Sequence, residues 1–409
     1  MEKNDYDVVI VGAGPAGSTL ARVCAQGGLD VAVFDKRKSI GNPVRCGEGL
    51  GSREVIEQGL EVPKWAISTD VKGAKVVAPD GKEIIWESGE TSGWVLERKL
   101  FDSWLAQLAV LKGAEVHVNN RVVDVMLDNG RIRGVKVKNG ADSEISDVTA
   151  RMVISAEGME SFTARRMGFP TVHRLYDVDT CYQYEMQPYS HQNLIELYFG
   201  NKVAPRGYVW IFPKGDKRAN VGIGIGAHLE TRVKNSNIKG ADPKPYLDEF
   251  IRNNRELKDA STLMDFGGVI SVCEPIGKFT MDNAMVIGTA AKQVDPIHGG
   301  GIALAMESGA LAGDAILKAR EKNDFSEGFL FNAYEKPWRE TAGNKMAKRL
   351  LLRKVIERLD DDDLNYIFGN MAQEDLAEIV GKNRFAEVAA RMVAGRPQLL
   401  KVLGALMGK

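Results

Sequence analysis

The apolar run at residues 8–11 (VVIV), followed by Gly12, Gly14 and Gly17, limits what this chain can fold into more than any other stretch. Four consecutive apolar residues suit a strand buried on both faces, as in a parallel sheet. The segment GAGPAG then completes G-x-G-x-x-G, with Ala16 inside the turn. The first glycine permits the tight turn and the second lets backbone approach a pyrophosphate. The third lets the next helix lie against the strand. Residues 18–25 read as that helix, whose N-terminus favours phosphate charge. Residues 29–34 read as the following strand, and Asp35 at its end offers a carboxylate to a ribose 2′-hydroxyl. A glycine turn in some other α/β protein is the plain alternative, but it would not need strand, helix, strand and acid in this register.

A second segment, residues 284–304, reads AMVIGTAAKQVDPIHGGGIAL. It too is a buried strand running into a glycine-rich turn, here Gly288-Thr289. Gly299, Gly300, Gly301 and Ile302 then open a helix that continues through Ser308. A flexible loop would not be followed at once by an apolar helix. Backbone N–H groups at such a helix start stabilise negative charge, as on a reduced flavin. In this order the two segments read as two ends of one flavin site. The pyrophosphate turn selects FAD over FMN.

Length allows two or three subdomains at 409 residues, and 44% hydrophobic with 27% charged residues is a globular composition. A net charge of -1 gives no global pull toward nucleic acid. The four cysteines, Cys24, Cys46, Cys181 and Cys273, lack metal-ligand spacing and are too few for a disulfide framework, which fits a reducing cytoplasm. The N-terminus enters the first strand with no signal peptide, and no apolar run reaches the ~18 residues of a membrane span. Membrane contact is therefore expected to be peripheral, at the inner face of the cell membrane.

Residues 100–111 read as a helix and 115–118 as a strand. Residues 121–126, 131–138 and 146–149 read as a three-stranded excursion around an Asp128-Asn129-Gly130 turn, and 152–155 as a return to a buried strand. Between 175 and 275, strands at 194–199, 207–212 and 220–225 suggest an antiparallel sheet with one face covered. Residues 330–409 show helical spacing. The expected class is α/β, α+β overall: a Rossmann-like FAD-binding domain (1–60, 95–174, 276–330), an antiparallel-sheet substrate domain (61–94, 175–275) and a helical C-terminal subdomain (331–409).

Four stretches carry a resemblance: GAGPAGS with Asp35-Lys36-Arg37; PVRCGEG at 43–49; YVWIFPK at 208–214 followed by Gly222-Ile223-Gly224; and Val294-Asp295-Pro296 through Gly301-Ile302. The chain resembles the archaeal geranylgeranyl reductases, flavoproteins of the para-hydroxybenzoate hydroxylase fold group. It departs from their pattern at Thr289 and Glu157, where Asp is usual, and at Asp35, where Glu is commoner. The resemblance implies flavin contacts from Arg45, Cys46, Gly47, Gly49, Arg98, Val122, Thr289, Gly300, Gly301 and Ile302, besides the first glycine motif. For Arg98 the plain alternative is a surface ion pair on its helix. Cys46 is a candidate to tune the flavin, donate a proton or fill space. His298 is a candidate proton donor or a residue bonding its own loop.

Tyr208, Trp210 and Phe212 alternate and so share one strand face. By spacing alone this reads as sheet core; the resemblance makes it, with Pro213 at the strand end, a surface for a long apolar substrate. The implied reaction saturates C=C bonds of geranylgeranyl chains in prenylated glycerophospholipids or geranylgeranyl diphosphate. With no second G-x-G-x-x-G, the electron donor is expected to be a transient partner, ferredoxin-like or a reduced pyridine nucleotide. A monooxygenase of the same fold and an electron-relay flavoprotein at the membrane stay open. A plain nicotinamide dehydrogenase would leave the late Gly-Thr…Gly-Gly-Gly segment without purpose. Residues 345–359 (KMAKRLLLRKVIERL) set Lys345, Lys348, Arg349, Arg353, Lys354 and Arg358 against Ala347, Leu350, Leu351, Val355 and Leu359. Such a helix either lies on anionic lipid or packs on the core with a solvated basic face.

Overall fold

A computed structural model of the chain describes residues 4–56, 58–228 and 241–375. These form two compact units. Described residues up to Val44, Glu97–His173 and Ser271–Ala347 make the first; Arg45–Leu96, the described part of Arg174–Ile270 and described residues from Lys348 onward make the second.

In the first unit, strands Ala284–Val286, Ile145–Ser155, Asp5–Val11, Val31–Phe34 and Glu115–His117 lie side by side, all parallel. Val8, Val9 and Ile10 are fully buried, as the apolar run requires of a strand covered on both faces. The strands expected at 146–149 and 152–155 are one continuous strand. Its first half, up to Thr149, pairs antiparallel with Arg131–Asn139 and its second half, from Thr149 on, pairs parallel with Asp5–Val11, so one extended segment serves two partners. Helices Pro15–Gln26, Arg98–Val110 and Ile302–Lys322 complete the layers.

In the second unit seven strands run in the order Ser261–Ser271, Val178–Gln187, Arg218–Gly226, Tyr208–Lys214, Leu194–Tyr198, Gly73–Val77, Glu83–Glu87. One internal pair, Leu194–Tyr198 with Gly73–Val77, is parallel. Val209, Ile211, Val221 and Ile223 are fully buried in one cluster with Tyr246 and Leu247 of helix Pro243–Asn253, so that helix closes one sheet face. Asp242 caps the helix through its side chain.

The division differs from the expected one. Residues 45–60 belong to the second unit, because Gly49–Gly51 pairs with Gly93–Leu96 in a small three-stranded sheet. The C-terminal subdomain is not separate: Tyr334 and Trp338 are fully buried in the first unit's core, while Arg353 donates twice to Asp179 in the second, at 2.7 and 2.9 Å. The expected region 376–409 lies outside the described residues. Arg353 is also removed from the expected basic face: it is 7% exposed and bonds Glu357 at 2.6 Å as well. Of the expected apolar side, Leu350, Val355 and Leu359 are buried while Ala347 and Leu351 are exposed, so only part of it packs inward. Among the described residues no helix is long and apolar enough to cross a membrane.

Arg353→Met should leave Asp179 as a buried, poorly compensated charge and cost about 3–5 kcal/mol, read as a lowered midpoint in chemical denaturation.

Candidate functional site

The first unit brings the two glycine segments together. Gly12 has φ +104, and a Cβ there would meet Ala156 O at 2.6 Å; a Cβ at Gly17 would meet Gly12 O at 2.0 Å. At Gly14 nothing lies within 4 Å. Gly14 is the N-cap of helix Pro15–Gln26 with no side-chain cap, so open space and unsatisfied donors stand where phosphate oxygens would enter. Ala16 faces the second segment: a Cβ at Gly288 would come within 2.9 Å of its Cβ. The residues present therefore fit a dinucleotide.

Asp35 is 3% exposed and already occupied. It accepts from Ala13 N (2.9 Å) and from Arg37 N, Nε and Nη2 (2.8, 2.9 and 2.7 Å). These four bonds fill a carboxylate's usual acceptor positions, so Asp35 and Arg37 stand as one bonded pair at the end of the strand. Burial opposes the carboxylate's charge, but Arg37 overcomes it and holds the carboxyl below its ordinary range. Arg98 bonds Asp102 along its own helix through Nε and Nη2, both at 2.8 Å, in a pair that is largely buried rather than on the surface. Val122 is a core residue, paired with Val137 in the ladder to Arg131–Asn139.

At the second segment, Gly299 N–H donates to Asp295 O (3.0 Å) and Gly300 N–H to His298 Nδ1 (3.1 Å). Of the expected run of donors, Gly301 and Ile302 remain at the start of helix Ile302–Lys322, where first-turn N–H groups have no intrahelical partner. His298 bonds its own loop, and its Nε2 lies 3.4 Å from Asp295. Thr289 stands beside Gly301, its Oγ1 3.6 Å from where a Cβ would be. Glu157, in place of the usual Asp, accepts from Ser155 Oγ (2.8 Å), Thr163 N (2.7 Å) and Thr163 Oγ1 (3.0 Å). Burial pushes its carboxyl up despite these donors. Sequence reasoning missed what fixes the Gly288-Thr289 turn: Gln293 Oε1 accepts from Gly288 N and Ser308 Oγ, while Gln293 Nε2 donates to Tyr334 OH, all fully buried.

In the second unit, strand Tyr208–Lys214 separates two environments. Val209 and Ile211 are in the core, while Tyr208, Trp210 and Phe212 are half-buried on the opposite face. The aromatic stripe is therefore not sheet core. Across the ladder, Tyr208 faces Gly224 and Trp210 faces Gly222. A Cβ at Gly222 would lie 2.2 Å from the Trp210 ring, so the G-x-G makes room for the indole. Trp210 Nε1 donates to Gln183 Oε1 (2.9 Å), and Gln183 Nε2 to Cys46 O (3.3 Å). Gly47 and Gly49 rest on Phe212, where a Cβ would come within 3.0 and 3.1 Å of its ring. Cys46 Sγ accepts from Glu48 N at 3.2 Å, and Arg45 is exposed. Pro213 does not end the strand: it pairs with Ala219 on the buried face, away from the stripe, and Lys214 continues the ladder. Residues not singled out from the sequence, Gln183, Glu48, Lys214 and Asn220, hold this face together. The signal for Lys214 was its even spacing after Phe212.

A Cβ at Gly14 meets no protein atom within 4 Å, so Gly14→Val should fold yet purify colourless, whereas Gly17→Val, whose Cβ would strike Gly12 O, should fail to fold. Visible absorbance and thermal unfolding separate the two.

Two protein families match the chain: geranylgeranyl reductase catalytic domain over residues 177–270, and pyridine nucleotide-disulphide oxidoreductase over residues 6–195. A digeranylgeranylglycerophospholipid reductase of Methanothrix thermoacetophila is 39% identical, covering 91% of this chain and 93% of its own length. That of Methanosarcina mazei is 41% identical over 89% and 88%. A solved geranylgeranyl bacteriochlorophyll reductase-like structure from Thermoplasma acidophilum has a TM-score of 0.87 at 34% identity, covering 99% of this chain and 100% of that one. A flavin-dependent brominase at 19% identity, covering 96% of this chain and 94% of its own, has a TM-score of 0.70 and shows the shared fold alone. With cradle, aromatic strand and relatives in agreement, the chain belongs to the digeranylgeranylglycerophospholipid reductase family.

Proposed function

We propose that this chain is an FAD-dependent reductase that saturates C=C bonds of geranylgeranyl chains in archaeal-type ether lipids or their precursors. The observation that carries the reading is the aromatic stripe: three large rings on a sheet face outside the core, in a chain that also holds a dinucleotide cradle. A soluble polar substrate would give such a face no purpose; a polyprenyl chain buries against it.

FAD, when bound and reduced, supplies the hydride. The chain's own residues bind, orient, exclude water and deliver a proton. Gly14 and the helix behind it take the pyrophosphate, and Asp35 with Arg37 the adenosine ribose. Arg98, Thr289, Gly301 and Ile302 serve the ribityl chain and the ring's negative end. Tyr208, Trp210 and Phe212 align the alkene, and their apolar surface keeps water away from it. A carboxylate at Thr289's position would add negative charge; the hydroxyl bonds without it. Cys46 is the candidate proton donor, in a loop held by Gln183 and Glu48. His298, committed to its own loop, is the weaker candidate. The electron donor in this reading is a ferredoxin-like protein or a reduced pyridine nucleotide. A lipid substrate calls for contact with a membrane surface, to which Lys345, Lys348 and Lys354, all exposed, offer charge.

Incubating the dithionite-reduced protein with geranylgeranyl lipids should give mass gains of one H2 per double bond. Oxygen consumption coupled to substrate would instead mark a monooxygenase. Cys46→Ala should keep FAD bound while product formation falls about tenfold or more; full activity would make Cys46 a packing residue. Changing Tyr208 and Trp210 to alanine should impair lipid turnover far more than flavin occupancy. Each truncation removes on the order of 3 kcal/mol of packing, so unfolding midpoints accompany the kinetics. Lys345, Lys348 and Lys354 changed together to glutamine should weaken salt-sensitive flotation with anionic liposomes.

A further inference from the structure

Lys214 and Glu48 form an ion pair with almost no solvent contact, 2% and 3% exposed, at 2.7 Å. Glu48 is held at φ +74, a left-handed backbone that side chains other than glycine seldom adopt. Its Oε2 also accepts from Asn220 Nδ2 at 2.7 Å, and the same Nδ2 lies 3.2 Å from Gly47 O. Its backbone N–H goes to Cys46 Sγ and its carbonyl accepts from Leu96 N at 2.9 Å. On the far side of Lys214, Glu185 stands 3.5 Å away and is held by Arg218 at 3.0 Å.

A buried ion pair adds little net stability, since an apolar pair of equal volume does as well or better, while loss of one partner is costly. Left-handed backbone at a non-glycine residue is a further cost, tolerated where the surroundings over-determine it. Here both costs fall on a residue two positions from Cys46 and on a lysine that continues the aromatic stripe of Tyr208, Trp210 and Phe212. The interaction joins the loop 45–49 to the strand on which its glycines rest.

We propose that Lys214 and Glu48 are positioning residues, whose buried contact latches the loop 45–49 onto the aromatic face and fixes where Cys46 Sγ stands. Lys214 sets Glu48, Glu48 sets the left-handed bend, and the bend carries Cys46, Gly47 and Gly49 to Gln183 and Phe212. The activity part of the test rests on the reductase reading; the thiol part does not.

Glu48→Gln and Lys214→Met, both close in size to the originals, are made singly and together in the full-length FAD-loaded protein. The first readout is the rate of iodoacetamide alkylation at Cys46, followed by mass spectrometry of its peptide. It should rise about tenfold in each single variant, as for a loop whose local opening is no longer opposed. With FAD held at saturation, kcat/KM for the geranylgeranyl lipid should fall about tenfold through misplacement. Lys214→Arg, which keeps the charge, should recover part of both. If Lys214→Met does not fold, Glu48→Gln carries the test alone. A folded Glu48→Gln protein with wild-type alkylation and turnover overturns the latch. If the wild type itself reduces no prenyl lipid, the reductase reading fails, and the alkylation rates still decide whether the latch exists.

Discussion

The two-residue period of a single strand, Tyr208–Lys214, is the constraint on which the second unit depends. Val209 and Ile211 are driven into the core with Tyr246 and Leu247. Tyr208, Trp210, Phe212 and Lys214 are thereby committed to the other face. A slip of one residue would bury the aromatic rings and expose the aliphatic ones, at a cost on the order of 2 kcal/mol for each large apolar side chain misplaced. The neighbouring strand answers the same register: Gly222 and Gly224 sit opposite the two largest rings, and a side chain at Gly222 would occupy the indole's volume.

The first unit is organised by close approach rather than by side-chain chemistry. Backbone meets backbone at Gly12, Ala156 and Gly17, and Ala16 meets Gly288, so the two glycine segments share one small space. Polar side chains act mainly as struts. Glu157 holds Ser155 and Thr163, Gln293 holds the Gly288 turn, and Asp35 holds Ala13 and Arg37. The two glycine segments each open a helix whose first-turn backbone donors favour an anion, as in other helix-terminus sites.

Much of this was legible in the residues. The strand–turn–helix at Gly12–Gly17, the hairpin at Asp128–Gly130 and the shared face of the aromatic stripe all follow from short-range rules, because turn chemistry and periodicity act over a few residues. The relation of Gly288 to Ala16 was legible only as a guess that two distant segments belong together. The partners of Glu48 were not legible at all. Lys214, Asn220 and Glu185 are far from it in the chain, and nothing local announces that a glutamate in a glycine-rich loop is buried. Arg353 was misread for the same reason: helical spacing placed it with five other cations, whereas Asp179 and Glu357 draw it inward.

What the sequence by itself determined is the set of elements, their faces and the presence of a dinucleotide turn, since these depend on neighbours within one or two turns of chain. What only the tertiary structure decided is which polar groups are spent inside the protein and which remain for function. His298 and the N–H groups of Gly299 and Gly300 are committed to their loop, and Pro213 faces the core. Glu48 and Lys214 find each other across the fold. Burial and hydrogen bonding at those sites are set by residues distant in the chain, and a polar group's cost or use depends on the partner it meets there.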